Sequence, residues 1–174
     1  MDAIVWTIGH STRTTETLVE LLLAHGIETL VDVRSFPRSR RNPQFDRERL
    51  PAALEAAGIA YRHEPGLGGR RRPRADSINT GWRNPGFRGY ADHMQTADFA
   101  AHLDRLIEGA QRGRSTLMCA EAVPWRCHRS LIADALAARG VAVRHILGIE
   151  RAEPHRLTPF ARIDGTSVTY PGLV

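Results

Sequence analysis

The chain has no lysine. All 24 basic residues are arginine, set against 19 acidic residues, and the net charge is +5. Cysteine is scarce as well, two in 174 residues, which excludes a disulfide-stapled scaffold. A chain of this length buries roughly 70% of its unfolded surface without staples. No apolar run approaches the roughly 20 residues that a membrane helix needs, so no membrane partner is expected. Met1 to Gly9 lacks the basic and apolar regions of an export signal, which points to free thiols in a reducing cytoplasm. At 42% hydrophobic and 25% charged residues the composition excludes disordered, collagen-like and coiled-coil classes. One compact domain over residues 1–174 is expected.

The distribution of charge is more telling than its total. Between Arg34 and Arg74, 11 arginines stand against four acids (Asp46, Glu48, Glu55, Glu64), a local net of +7. Since the whole chain carries +5, the remainder is slightly acidic. A basic segment in an otherwise near-neutral chain suggests a patch that faces an anion.

Short apolar runs alternate with amphipathic stretches. Strands are expected at Ala3 to Ile8, Glu28 to Val33, Ile59 to His63, Thr116 to Cys119 and Val141 to Ile146. Helices are expected over Thr14 to His25, Pro51 to Gly58, the stretch following Thr96, and Cys127 to Arg139. This alternation predicts an α/β fold: three layers, a mostly parallel five-stranded sheet and helices on both faces. Residues 147–174 read as a C-terminal extension with a hairpin around Asp164-Gly165, a type I′ turn signal. Residues 64–90 lack apolar periodicity and read as a long loop, either a mobile lid over a site or a disordered insertion.

In open α/β sheets ligands bind at the C-terminal ends of the strands. The residues there are reactive ones: His10-Ser11, Asp32 with Arg34, Gly69-Arg70, and Cys119-Ala120-Glu121 leading to Cys127-His128-Arg129. At a helix N-terminus, with Arg126 and Arg129 nearby, Cys127 is expected to have a lowered pKa and serve as nucleophile. His10 or His128 provides a base, and Glu121 a general acid or base if burial raises its pKa. Each also has a plainer role open to it: Cys119 as a core residue, the histidines as backbone hydrogen-bonding groups, Asp32 as the partner of Arg34. A metal site from Cys119, Cys127 and His10 is conceivable, but C-x7-C is not a zinc spacing, and no metal or cofactor is predicted. From Cys119 to Arg126 is one residue longer than the anion loop of thiol phosphatases, and no G-x-S-x-G elbow marks a serine hydrolase.

Thr7-Ile8-Gly9-His10-Ser11, Asp32-Val33-Arg34 with Pro37, Leu67-Gly68-Gly69-Arg70, Gly89-Tyr90-Ala91, and Cys119-Ala120-Glu121 followed by Cys127-His128-Arg129 form an ordered set. The set resembles the uncharacterised family known as domain of unknown function 488, over about Trp6 to Ile146. The resemblance implies that these positions form a site; it names no reaction. The expected function is that of a hydrolase- or transferase-like enzyme acting on a phosphate-bearing substrate, a nucleotide or nucleic acid. Cys127, His10, Glu121 and Asp32 would carry the chemistry, and Ser11, Arg34, Arg70, Cys119, His128 and Arg129 the binding. The alternatives are a non-catalytic nucleic-acid-binding module, for which arginines with Trp82, Phe87 and Tyr90 would suffice, and a thiol redox sensor.

Overall fold

The structure, a computed structural model, describes residues 3–172. The apolar runs form five parallel strands: β1 (Ile4–Gly9), β2 (Thr29–Asp32), β3 (Ala60–His63), β4 (Ser115–Cys119) and β5 (Ala142–Gly148). A sixth, β6 (Arg151–Pro154), pairs antiparallel with β5, and the sheet order is β3-β2-β4-β1-β5-β6. The five-stranded expectation therefore falls one strand short. β6 reads Arg-Ala-Glu-Pro and shows no apolar alternation. Charge and proline are what an edge strand uses to resist further pairing, so the chemistry that protects β6 also hid it.

Five helices accompany the sheet: α1 (Thr15–Ala24), α2 (Leu50–Ala56), α3 (Pro85–His93), α4 (Ala97–Arg112) and α5 (Arg129–Ala138). Capping explains their starts. Thr14 Oγ1 accepts the Thr17 N–H at 3.1 Å, and Thr96 Oγ1 accepts that of Phe99 at 3.2 Å. Gly26 and Gly140 follow α1 and α5 with φ of +68° and +77°, the left-handed conformation that ends a helix. α5 begins at Arg129, two residues later than expected, because Pro124–Arg126 form a 3-10 turn and the Cys127 N–H is taken by the Pro124 carbonyl at 3.2 Å.

Two hydrophobic clusters hold these elements. One joins Leu18 and Leu22 of α1 and Leu54 of α2 to Ile8, Leu30 and Met118. The other joins Phe99 and Leu103 of α4 and Leu131 and Leu136 of α5 to Val5, Val31 and Leu117. Adjacent strand residues such as Leu30 and Val31 enter different clusters, as the period of two requires. Each fully buried side chain of this size contributes roughly 1.5–3 kcal/mol.

Residues 64–90 are not the structureless lid that the composition suggested. Pro65–Leu67 form a 3-10 turn, and α3 starts at the Asn84 cap, whose Oδ1 accepts the N–H groups of Gly86 and Phe87. Between them the Asp92 carboxylate accepts the Arg74 N–H at 2.8 Å, the Ser77 hydroxyl at 2.6 Å and the Asn79 amide at 2.7 Å. Asn79 Oδ1 in turn accepts the Tyr170 N–H, and Trp82 packs on Tyr170. The tethers run to residues far along the chain, which local periodicity does not reveal. The C-terminal hairpin is present as β7 (Arg162–Asp164) and β8 (Ser167–Thr169). Asp164 pairs with Ser167, so Gly165 and Thr166 are the central residues, and only Gly165 has positive φ (+63°). That is not the type I′ geometry, which requires positive φ at both.

The register brings the strand ends to one edge: Gly9 lies beside Cys119, and Asp32 beside both His63 and Met118. A Cβ on Gly9 would sit 1.6 Å from the Glu121 carbonyl oxygen, a backbone atom that cannot swing away. Gly9→Ala is therefore expected to destabilise the protein by at least the roughly 1–3 kcal/mol typical of overpacking. Gly140→Ala, with open space around it, should cost only the roughly 1–2 kcal/mol of the left-handed conformation. Urea unfolding of the two variants checks the order.

Candidate active site

At this edge lies a cavity of about 420 Å³. Seven of the predicted site residues line it: His10, Arg34, Arg70, Cys119, Glu121, Cys127 and His128. Three do not: Asp32 and Arg129 are fully buried, and Ser11 is half-buried outside the lining. The loop after β2 adds Ser35, Phe36, Arg38 and Ser39, and the start of α3 adds Asn84, Gly86 and Phe87. The wall from α3 was missed, although Asn84-Pro85 is a cap followed by a first-turn proline, a readable helix start.

Arg34 is 7% exposed and is held by fully buried Asp32. Its Nε donates to Asp32 Oδ1 at 2.9 Å and its Nη2 to Oδ2 at 2.7 Å, while Nη2 also reaches the Phe45 carbonyl at 2.7 Å. The Tyr61 hydroxyl donates to Asp32 Oδ2 at 2.6 Å. Both carboxylate oxygens are thus committed, and Asp32 positions Arg34 instead of facing the cavity. Burial works against the Arg34 charge, but the hydrogen bonds and charge of Asp32 outweigh it and raise its pKa. Nη1 is left with one long contact, 3.4 Å to His10 Nε2, and so has donor capacity to spare.

His10 stacks on Phe45 with centroids 4.5 Å apart. Its Nδ1–H donates to the Ser11 carbonyl at 2.8 Å, which places the lone pair on Nε2. Burial, helped by Arg34, pushes its pKa down to about 4, so it is neutral at pH 7. Ser11 acts through its backbone. At φ 51° it turns its N–H onto the Ala120 carbonyl at 3.0 Å while its own carbonyl holds His10.

The two thiols interact directly. Burial opposes charge on Cys119, but the Cys127 thiol, Arg129 and the Glu121 backbone overcome it and lower its pKa. Cys127 moves the other way, raised well above the usual thiol value by its hydrogen bond to Cys119 and by burial. The expectation of a Cys127 thiolate is thereby reversed: the first negative charge of the pair resides on Cys119. Cys127 precedes the helix instead of starting it, so the dipole acts on it only through the Arg129 N–H, 3.5 Å from its sulfur. His128 donates from Nε2 to the Val33 carbonyl at 3.0 Å and offers Nδ1 to Cys127 Sγ at 3.3 Å. Withdrawal from water pushes His128 down to about 4 as well. Gly69 lets it approach: a Cβ there would lie 2.6 Å from Nδ1. Glu121 is exposed and so lacks the burial on which its acid–base role rested.

Arg129 is 0% exposed. Nη2 donates to the carbonyls of Glu121 (3.0 Å) and Ala122 (3.2 Å), and Nη1 to Thr7 Oγ1 (3.3 Å). From Thr7 a directed chain continues. The hydroxyl contacts His145 Nδ1 at 2.6 Å, His145 Nε2 contacts His155 Nδ1 at 2.9 Å, and His155 Nε2 reaches Asp134 Oδ1 at 2.7 Å. An Nε2–H on each ring closes the chain, His145 donating to His155 and His155 to Asp134. Burial and neighbouring His155 push His145 down to about 3. No group of three or more His, Cys, Asp or Glu side chains that could hold a metal ion occurs among the described residues, and no helix there is long and apolar enough to cross a membrane.

His10, His128 and His145 all have folded-state pKa values below the 6.5 of the free side chain. Unfolding below pH 6.5 therefore takes up protons. The stability that these neutral rings contribute is complete above pH 6.5 and lost as pH falls toward 4, by up to about 1.4 kcal/mol per pH unit per group. The urea midpoint should fall steadily from pH 6.5 to 4.5, and more gently in His145→Gln. A flat profile contradicts the assignment. The thiols give a second measurement. Thiolate absorbance near 240 nm should titrate below the ordinary thiol range in the native protein, vanish from that range in Cys119→Ser, and shift upward in Cys127→Ala, where Cys119 loses its donor.

Residues 14–136 match the family described as Domain of unknown function DUF488. This span includes the Asp32–Arg34, glycine-turn and cysteine motifs but begins after the Thr7–Ser11 motif, and so is shorter than the expected one. No curated protein and no solved structure matches the chain. Half of the chain and more lies within the matched span, and the protein belongs to the DUF488 family.

Proposed function

We propose that the cavity is the active site of an enzyme that acts on a phosphate-bearing substrate, with Cys119 as nucleophile. One observation carries this reading: four arginines (Arg34, Arg38, Arg70, Arg126) line the cavity against one carboxylate, Glu121, and both thiols lie in the same wall. Arg34 holds the anion through its spare Nη1, with its plane fixed by Asp32. Arg129 favours the Cys119 thiolate from beneath the loop. Cys127, kept protonated, supplies a proton to a leaving group, and neutral His10 accepts one at Nε2 from an incoming water or hydroxyl.

The arginine-rich segment also favours a second reading, nucleic-acid binding without chemistry, in which the thiols are bystanders. Alkylation separates the two. Iodoacetate, an anion, is expected to modify Cys119 several-fold faster than neutral iodoacetamide relative to a free thiol, and inorganic phosphate should protect it. Arg34→Gln should weaken phosphate protection at least tenfold, about the 1.4 kcal/mol of one charge-assisted hydrogen bond. Equal rates for the two reagents and no protection by phosphate would sink the enzyme reading.

A further inference from the structure

The cavity is larger than a single phosphate requires. Its volume of about 420 Å³ falls in the range of sites for whole organic ligands, roughly 300–1,000 Å³. His10 and His128 are neutral, so the charge of the lining comes from four arginines set against Glu121 and the Cys119 thiolate, and it remains positive. The volume leaves room beyond one phosphate held at Arg34, and the arginines of the lining other than Arg34 remain to meet further phosphates.

The rim supplies a different kind of contact. Phe36 lines the cavity yet is 65% exposed, and the Arg70 guanidinium lies over its ring at 5.2 Å. Ser35 Oγ accepts the Arg70 N–H at 3.0 Å, which fixes the segment carrying that guanidinium beside the ring. Stacked aromatic and guanidinium planes are the surfaces on which unpaired bases stack. The loop that carries Phe36 continues the charge outward. Asp46 holds the Ser39 N–H at 2.7 Å, and the Arg47 N–H returns to the Pro37 carbonyl at 2.9 Å. Arg40, Arg41 and Arg47 are therefore exposed on the same folded loop.

We infer that the phosphate-bearing substrate is a single strand of nucleic acid, one base of which stacks on the Phe36–Arg70 shelf while its phosphates run from Arg34 across Arg38 and onto the outer arginines. This rests on the phosphate-site reading and adds to it the requirement for an unpaired base. A duplex keeps its bases stacked on one another and offers the shelf nothing.

The experiment is fluorescence anisotropy of the full chain with a labelled ten-nucleotide single strand, as DNA and as RNA, the matching duplex, and a nucleoside triphosphate as competitor, over a series of salt concentrations. The single strand should bind at least tenfold more tightly than the duplex. Phe36→Leu, a change at an exposed position, should weaken single-strand binding roughly 5- to 100-fold without altering the salt dependence. Arg38→Gln should reduce the slope of log affinity against log salt by about 0.7. Phosphate protection of Cys119 should be unaffected by Phe36→Leu. Equal binding of duplex and single strand, or no effect of Phe36→Leu, overturns the strand assignment while leaving the phosphate site standing if protection persists. A triphosphate that binds as well as the strand also overturns it, in favour of a free nucleotide. Absence of both oligonucleotide binding and phosphate protection removes both readings.

Discussion

The site depends on one buried cation. Arg129 is sealed from water, and its hydrogen bonds all end on uncharged oxygens: two carbonyls of the cysteine loop and one threonine hydroxyl. An isolated charge in such a place is costly unless something nearby answers it. The loop dipoles answer in part, and the Cys119 sulfur does so by giving up its proton more readily. The same contacts hold the Glu121 and Ala122 carbonyls in place, and Gly9 is a glycine because the Glu121 carbonyl passes where a side chain would stand. The loop's shape and the chemistry of its thiol thus share one cause.

Arg34 shows the complementary solution. Its charge is answered directly by Asp32, which leaves the guanidinium plane fixed and one nitrogen free at the cavity. One arginine is buried against backbone carbonyls and the other lines the cavity, although both stand directly after or within motif residues of similar appearance. The Thr7–His145–His155–Asp134 chain then ties Arg129 to the part of the sheet that carries β5 and to the C-terminal segment, where Tyr170 donates to Asp134 at 2.7 Å.

The five parallel strands and four of the helices were legible because they rest on local patterning: apolar runs, Thr caps and Gly stops. The gathering of His10, Arg34, Cys119 and Cys127 followed from topology, since parallel strands place their C-terminal ends together. What the sequence did not reveal was settled by contacts between distant residues. α3 has two internal glycines and little apolar period, and stands on an Asn cap. β6 is charged because it is an edge. The ionisation of two cysteines in one wall depends on which lies above Arg129, and Asp32 and Ser11 differ from the residues facing the cavity only in the direction of their side chains. Residue type shows that chemistry is present, but it does not show which side of a loop receives it.

The positive charge of the cavity lining comes entirely from guanidinium groups. These stay protonated at any pH at which the fold survives, and methylation alters their hydrogen bonding without discharging them. With no primary amine in any side chain, acetylation has no side-chain target on this face. The positive field of the cavity is therefore tempered by ionic strength, and it responds to the composition of its surroundings rather than to covalent erasure of charge.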